Sequence, residues 1–262
     1  MIATHSPQQN QLLAALPKDV LQRLLPALEP ISLTHGEVLY ESGGLLRHVL
    51  FPTSVIASII YISEDGSTDE LAMVGHEGLV GVCILTGTDR TNNHAVVQNS
   101  GYAYRLKAQI LKQELNRTEG CSVGVLQNLL LHYMQALIAQ MGQTVVCSRH
   151  HALEQQLCRH LLLTLDRLNS NELIMTQESI ANMLGVRRIG ITEAAGKLQR
   201  AGLIKYHRGH ISVVDRTGLE ERACECYQVV KKEYDRLLPH VSSHVIDDEP
   251  AYAHRFHLEA NG

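Results

Sequence analysis

The hydrophobic pattern of this chain changes period near Leu106, and that change constrains the fold more than any single motif. From Ile31 to Leu106 the apolar residues come in short runs: Val38-Leu39-Tyr40, His48 to Phe51, Val55 to Ile60, Leu71 to Val74, Ala95 to Val97 and Tyr102 to Leu106. Turn-forming segments separate them at His35-Gly36, Ser42-Gly43-Gly44, Glu64 to Ser67 and Gly87 to Asp89. Short strands spaced this way predict an antiparallel sandwich or barrel. Beyond Leu106 no strand signal returns before Ile204, and the apolar spacing becomes helical. Upstream, Leu12, Leu16, Val20, Leu21, Leu24 and Leu25 fall at helical intervals cut by prolines, which gives two small helices. The expected class is α+β, opening with an antiparallel β domain.

The helical half begins with a short helix over Lys107 to Asn116. A stripe then runs through Val123, Leu126, Leu130, Tyr133, Leu137, Gln140, Thr144 and Cys147, in alternating steps of three and four. That is the spacing of a helix packed against another helix. At about 25 residues it spans ~37 Å, more than a small roll covers. A second copy is the expected cover, with Leu126, Leu130, Tyr133, Leu137, Gln140 and Thr144 as the dimer seam, because Gln140 and Thr144 suit a monomer core poorly. Another helix, His150 to Leu168, carries Leu153, Leu157, Leu161, Leu162 and Leu165 on one face.

The chain's net charge is −4, yet residues 176–210 hold six basic side chains against two acids, a local +4. A cationic island in an acidic protein suits a polyanion. Within it Thr176 is an expected N-cap, Ile180, Met183 and Leu184 face inward, and Gly185 permits a sharp turn pinned by Val186. A second helix follows, with Ile191, Ala194, Ala195 and Leu198 at core spacing. The pair reads as a helix-turn-helix, and the hairpin around Arg208-Gly209 as a wing. Expected DNA contacts are Gln177, Arg187, Arg188, Ile189, Thr192, Glu193, Lys197 and Arg200, with Lys205, His207 and Arg208 on the wing. The expected divisions are a β domain over residues 1–122, a dimerisation helix over 123–148, a winged helix-turn-helix over 149–240 and a disordered tail over 241–262.

No run approaches the ~18 uncharged apolar residues of a membrane span, and MIATHSPQQNQ has no secretory pattern, so a cytoplasmic setting without membrane contact is expected. Six cysteines are too sparse for a disulfide framework. Cys224 and Cys226 are one residue apart, tighter than the usual zinc spacing and without a second pair nearby in sequence, so no metal site is expected. The acids Glu64, Asp65, Asp69 and Glu70 read as loop solvation, which argues against a catalytic cluster.

The order of parts resembles the CRP/FNR family of bacterial transcription regulators over about residues 12–238. The motifs that carry the resemblance are Gly36-Glu37-Val38-Leu39-Tyr40-Glu41-Ser42-Gly43, similar to the family's G-E-x-[LI]-x-x-x-G, and Thr176 to Leu203, similar to T-x-x-x-[IL]-A-x-x-[LI]-G-x-x-R-x-x-[IV]. The resemblance implies a non-enzymatic regulator whose residues 1–122 form a double-stranded, jelly-roll-like β-roll sensor, with Arg188 as the base-reading arginine. Ile189 stands where the family often has Glu, and Glu193 where it often has Arg, which implies a different half-site. The expected partners are a second copy, pseudo-palindromic double-stranded DNA and RNA polymerase.

Where nucleotide-binding members carry G-E and R-[ST]-A, this chain has Gly81-Val82 and Asn93-His94-Ala95. A buried cyclic phosphate would lack its arginine, which argues against ordinary cyclic AMP. The absence of cysteine before Cys83 argues against the family's iron–sulfur sensor. The candidate effector pocket comprises Val74, Gly81, Val82, Cys83, Asn93, His94, Ala95 and Tyr133. A cyclic dinucleotide, haem ligated from among His48, His76, His94 and Cys83, and no ligand at all stay open. The alternative function is a haem- or metal-dependent sensor or enzyme on the β-barrel.

Overall fold

The computed structural model of the chain describes residues 6–117, 124–168 and 170–238. Two short helices, α1 (Gln11–Ala14) and α2 (Lys18–Leu24), open the fold. Buried Asn10 anchors them: its Oδ1 accepts from the Leu12 and Leu13 amides, while Nδ2 donates to the Pro52 and Gly78 carbonyls. One side chain thus caps a helix and ties it to the roll.

Seven strands build that roll: β1 (Glu29–Leu33), β2 (Val38–Tyr40), β3 (His48–Pro52), β4 (Ile56–Ile62), β5 (Thr68–Val74), β6 (His94–Asn99) and β7 (Gly101–Lys107). They form antiparallel sheets in the orders β1-β7-β3 and β2-β6-β4-β5. Val49, Phe51, Ala57, Ile59, Ala95, Val97 and Leu106 fill the core between them. After α3 (Ala108–Leu115) comes the long helix α4 (Val125–His150), whose 26 residues span about 39 Å. An elbow at His151-Ala152 leads into α5 (Leu153–Leu165), the first element of a C-terminal head. The head continues through β8 (Glu172–Ile174), α6 (Gln177–Met183), α7 (Arg188–Arg200), β9 (Ile204–His207), β10 (His210–Val213), α8 (Arg216–Arg222) and α9 (Glu225–Leu237). The α+β class and the roll, long helix and winged head are those the sequence predicts.

The expected dimer seam requires correction. Leu126, Leu130, Tyr133, Leu137 and Gln140 are all buried within their own chain, where α9 and β5 lie along α4. Thr144 is half-buried; its Oγ1 donates to the Gln140 carbonyl and accepts from Arg159 Nη2. The sequence hides this cover because α9 lies about 90 residues downstream and no local signal pairs it with α4. The apolar face that α4 leaves exposed is different: Leu131, Ile138 and Val145, 39%, 54% and 57% exposed, repeat every seventh residue. Val123 and the 241–262 tail lie outside the described residues.

Gln140 is buried because it belongs to a polar network. Arg167, just past α5, donates from Nε to Glu77 Oε1 at 2.7 Å, from Nη2 to Gln140 Oε1 at 3.0 Å and from Nη1 to the Leu163 carbonyl at 2.7 Å. Gln140 Nε2 donates to the Met73 carbonyl of β5, and the Tyr234 hydroxyl of α9 donates to Gln140 Oε1. Gly75 makes room for the arginine, since a Cβ there would lie 2.8 Å from Arg167 Cγ. Glu70 also departs from the sequence reading: it is buried, accepts from Ser58 Oγ and faces His160 Nδ1 of α5 at 3.5 Å. Burial pushes its carboxyl upward, but His160 and Ser58 outweigh that and hold it below the ordinary glutamate value.

Removing one partner of a buried pair leaves the other charge uncompensated, at ~3–5 kcal/mol. Glu77→Ala is therefore expected to destabilise the chain by about that much in chemical denaturation. Substitution of exposed Glu64 should stay within about 0.5 kcal/mol.

Candidate nucleic-acid interface

Helix α6 starts where the sequence places it. Thr176 Oγ1 accepts from the Ser179 amide at 3.0 Å, and Glu178 occupies the first turn. Gly185 takes φ +62° in the turn, a left-handed conformation that a side chain would strain. Ile191, Ala194, Ala195 and Leu198 of α7 are buried, so its other face points outward. The wing closes through Arg208 at φ 47° and Gly209 at φ 83°, a two-residue hairpin turn. The sequence reading missed β8, which pairs with β10 and makes the wing three-stranded. Its signal is only three residues long, too short for period-two alternation to stand out.

An open groove forms between the N-terminus of α6, the outer face of α7 and the wing. Of the expected contacts it gathers Gln177, Arg188, Thr192, Arg200 and Arg208. Arg187, Ile189, Glu193, Lys205 and His207 are exposed around it rather than lining it. Lys197 leans the other way, 3.8 Å from Glu154 of α5. Gln199 and Tyr206 line the groove and were missed: Gln199 Oε1 accepts from the Tyr206 amide, and the Tyr206 hydroxyl donates to the Met175 carbonyl. The wing had to fold back over α7 before that pairing was visible.

Arg188 sits at the first position of α7, with its side chain 67% exposed. Its nearest acid, Glu178, is 3.9 Å away and also exposed, an ion pair worth little in water. A guanidinium so lightly held can pair bidentately with guanine O6 and N7. Thr192 Oγ1 donates to Gln177 Oε1 at 2.7 Å, which joins the two helices at the groove floor. Ile189 is 68% exposed, the most open of the large apolar side chains described, as suits contact with a thymine methyl.

The effector-pocket residues do not share one open face. Val74, Ala95 and Tyr133 are buried in the core, and the Tyr133 hydroxyl donates to the Leu79 carbonyl. Asn93 Oδ1 accepts from the Tyr40 hydroxyl, while Leu46 packs over Gly81. Val82, Cys83 and His94 are half-buried. Among the described residues, His48, His76, His94 and Cys83 do not converge on a metal position. A set that the sequence did not single out comes together elsewhere: Cys147 and His151 meet Cys224 and Cys226. The Cys147 and Cys224 thiols share a hydrogen bond at 3.4 Å, which holds the Cys224 thiol below its ordinary range.

Two short helices at a glycine turn, with a cationic outer face and a wing, define a winged helix-turn-helix DNA-binding head. Residues 155–222 match the model of the Crp-like helix-turn-helix domain. The whole fold is similar to FixK2 from Bradyrhizobium japonicum, at 14% identity and a TM-score of 0.62, covering 75% of this chain and 98% of that one. A CRP-family transcriptional regulator from Thermus thermophilus is similar at 16% identity and a TM-score of 0.60, with 74% and 96% covered. So is the c-di-GMP responsive global regulator CLP of Xanthomonas campestris, at 13% identity and a TM-score of 0.58, with 75% and 99% covered. No curated protein matches in sequence. The domain match shows a Crp-like helix-turn-helix over residues 155–222, and the chain shares the fold of these solved structures. Among the described residues no helix is long and apolar enough to cross a membrane.

Losing an N-cap hydroxyl typically costs about 1 kcal/mol. Thr176→Ala should lower the stability of the head by that amount, read from denaturant midpoints, while Thr176→Ser leaves it within a few tenths.

Proposed function

We propose that the chain acts as a homodimeric, sequence-specific, DNA-binding transcription regulator whose β-roll state is transmitted to the head. The observation that carries this is the open groove where Arg188, Arg200 and Arg208 converge from α7 and the wing. Arg188 and its neighbours at the N-terminal end of α7 read base edges, with Lys205 and His207 beside the groove on the phosphates. Arg187 flanks the recognition face and adds a phosphate contact, and Glu193 accepts from a cytosine amine.

Dimerisation is assigned to the outer face of α4, where Leu131, Ile138 and Val145 form a heptad-spaced apolar line beside Val146. A two-fold pair would set its recognition helices about one DNA turn (~34 Å) apart, which selects a pseudo-palindromic site. Transmission has a physical route. Thr68 Oγ1 of β5 donates to the Asn182 carbonyl, and Asp69 lies against Gly185, so the β4–β5 hairpin of the roll touches the helix-turn-helix turn. Such a regulator works in the cytoplasm, with duplex DNA and RNA polymerase as partners.

A gel-shift titration over a palindromic duplex library tests the reading. Affinity should fall linearly with salt on logarithmic axes, and duplex binding that ignores salt would reject it. Arg188→Ala should lose about 1–3 kcal/mol of discrimination at one base pair of each half-site. Lys205→Ala should weaken all duplexes alike and reduce the salt slope by ~1. Separately, Ile138→Lys should yield a monomer by light scattering with an unchanged circular dichroism spectrum. A dimer that survives it would move the seam elsewhere.

A further inference from the structure

Four side chains with metal-binding atoms meet at the elbow between the long helix and the head. Cys147 lies in the last turn of α4 and His151 is its C-cap residue, four positions on and on the same face. Cys224 is the N-cap of α9, and Cys226 lies in its first turn. Their three Sγ atoms and one imidazole nitrogen all lie within 4.8 Å of one another. Cys147 Sγ is 3.4 Å from Cys224 Sγ, and Cys226 Sγ is 3.5 Å from His151 Nδ1. Tetrahedral ligands at Zn–S ~2.3 Å and Zn–N ~2.0 Å stand about 3.5–3.8 Å apart, so the cluster has nearly the dimensions of a single-ion site.

Three further observations point to a ligand. His151 Nε2 is 3.2 Å from Glu225 Oε1, so the carboxylate fixes the ring and leaves Nδ1 turned toward the sulfurs. A carboxylate–histidine pair of this kind is the usual outer support of a zinc-bound imidazole. The three cysteines are buried, and His151 is half-buried. Arg159, 6% exposed with an unpartnered Nε, extends its positive charge to Cys147 and Cys226. Three thiolates, a neutral imidazole and a divalent cation sum to one negative charge, which this arginine balances.

We infer that Cys147, His151, Cys224 and Cys226 bind one thiolate-preferring divalent cation of the zinc class, which clamps the end of α4 to the start of α9. Sulfur-rich tetrahedral donors select zinc over magnesium or calcium, and four protein ligands close the site to substrate. Binding displaces the thiol protons to solvent, with no change of oxidation state. The ion spans the elbow at which the head joins the long helix. Its presence fixes the head's angle, and its loss frees it.

The test uses the full-length chain, purified under reducing conditions, with zinc and then cobalt(II) as probes. One equivalent of zinc per chain is expected by elemental analysis. The metal-free reduced chain should take up one cobalt, giving tetrahedral ligand-field bands with thiolate charge transfer. Glu225→Gln, at a 72% exposed side chain, should keep the fold and weaken the metal about 10–100-fold. Cys226→Ser should lose the cobalt charge-transfer intensity of one thiolate, whereas Cys83→Ser, outside the cluster, should change nothing. A reduced wild-type chain without the cobalt bands would overturn the inference. So would equal affinity in Cys226→Ser, or a Cys147–Cys224 disulfide as the resident state. Duplex binding is not part of the readout, so either reading can fail alone.

Discussion

A single buried guanidinium sets the terms for the rest of this molecule. Arg167 is surrounded by protein, and an arginine in that position must find a carboxylate and satisfy its remaining N–H donors or unfold its surroundings. Glu77 supplies the charge, and Gln140, the Leu163 carbonyl and the face of Tyr234 supply the rest. These partners belong to the roll, the long helix, the head's first helix and its last. The network adds little net stability over an apolar packing of the same volume, but only one relative placement of the four parts satisfies it. Gln140, an anomaly in an apolar stripe, is the price of that placement.

Commitment of one α4 face to the chain's own core leaves only the opposite face for the proposed second copy. The inner face, from Leu126 to Gln140, is sealed by β5 and α9, and what remains is the outer line of Leu131, Ile138 and Val145. A helix can serve two covers because its 3.6-residue period separates the stripes around its circumference. The same division appears in the head. Ile191, Ala194, Ala195 and Leu198 point to α5 and the wing, while Arg188, Thr192 and Gln199 point to the groove. Affinity for a polyanion and stability of the fold rest on opposite faces of one helix.

The elbow between α4 and α5 joins these two tasks. On one side it ends the helix that carries the exposed apolar line; on the other it begins the body that carries the helix-turn-helix. Contacts from β5 to Asn182 and Gly185 reach the head from the roll, and the sulfur-rich cluster grips it from the C-terminal end. Both sets of contacts meet the head away from the groove itself.

Local chemistry accounts for what was legible in the sequence. Alternation marked the strands of the roll, Thr176 and Gly185 marked the ends of α6, and the cationic island marked the outer face of α7, because each signal depends on neighbours within a few positions. Those residues determine the α+β class and the helix-turn-helix by themselves. The tertiary structure alone decided which stripe of α4 is covered, why Glu70 and Gln140 are buried, and that Cys147 and His151 meet a Cys-Glu-Cys segment more than 70 residues away. Periodicity shows that a helix has an apolar face, but burial and ligand geometry depend on whichever distant segment comes to lie against it, and spacing along a chain carries no record of that.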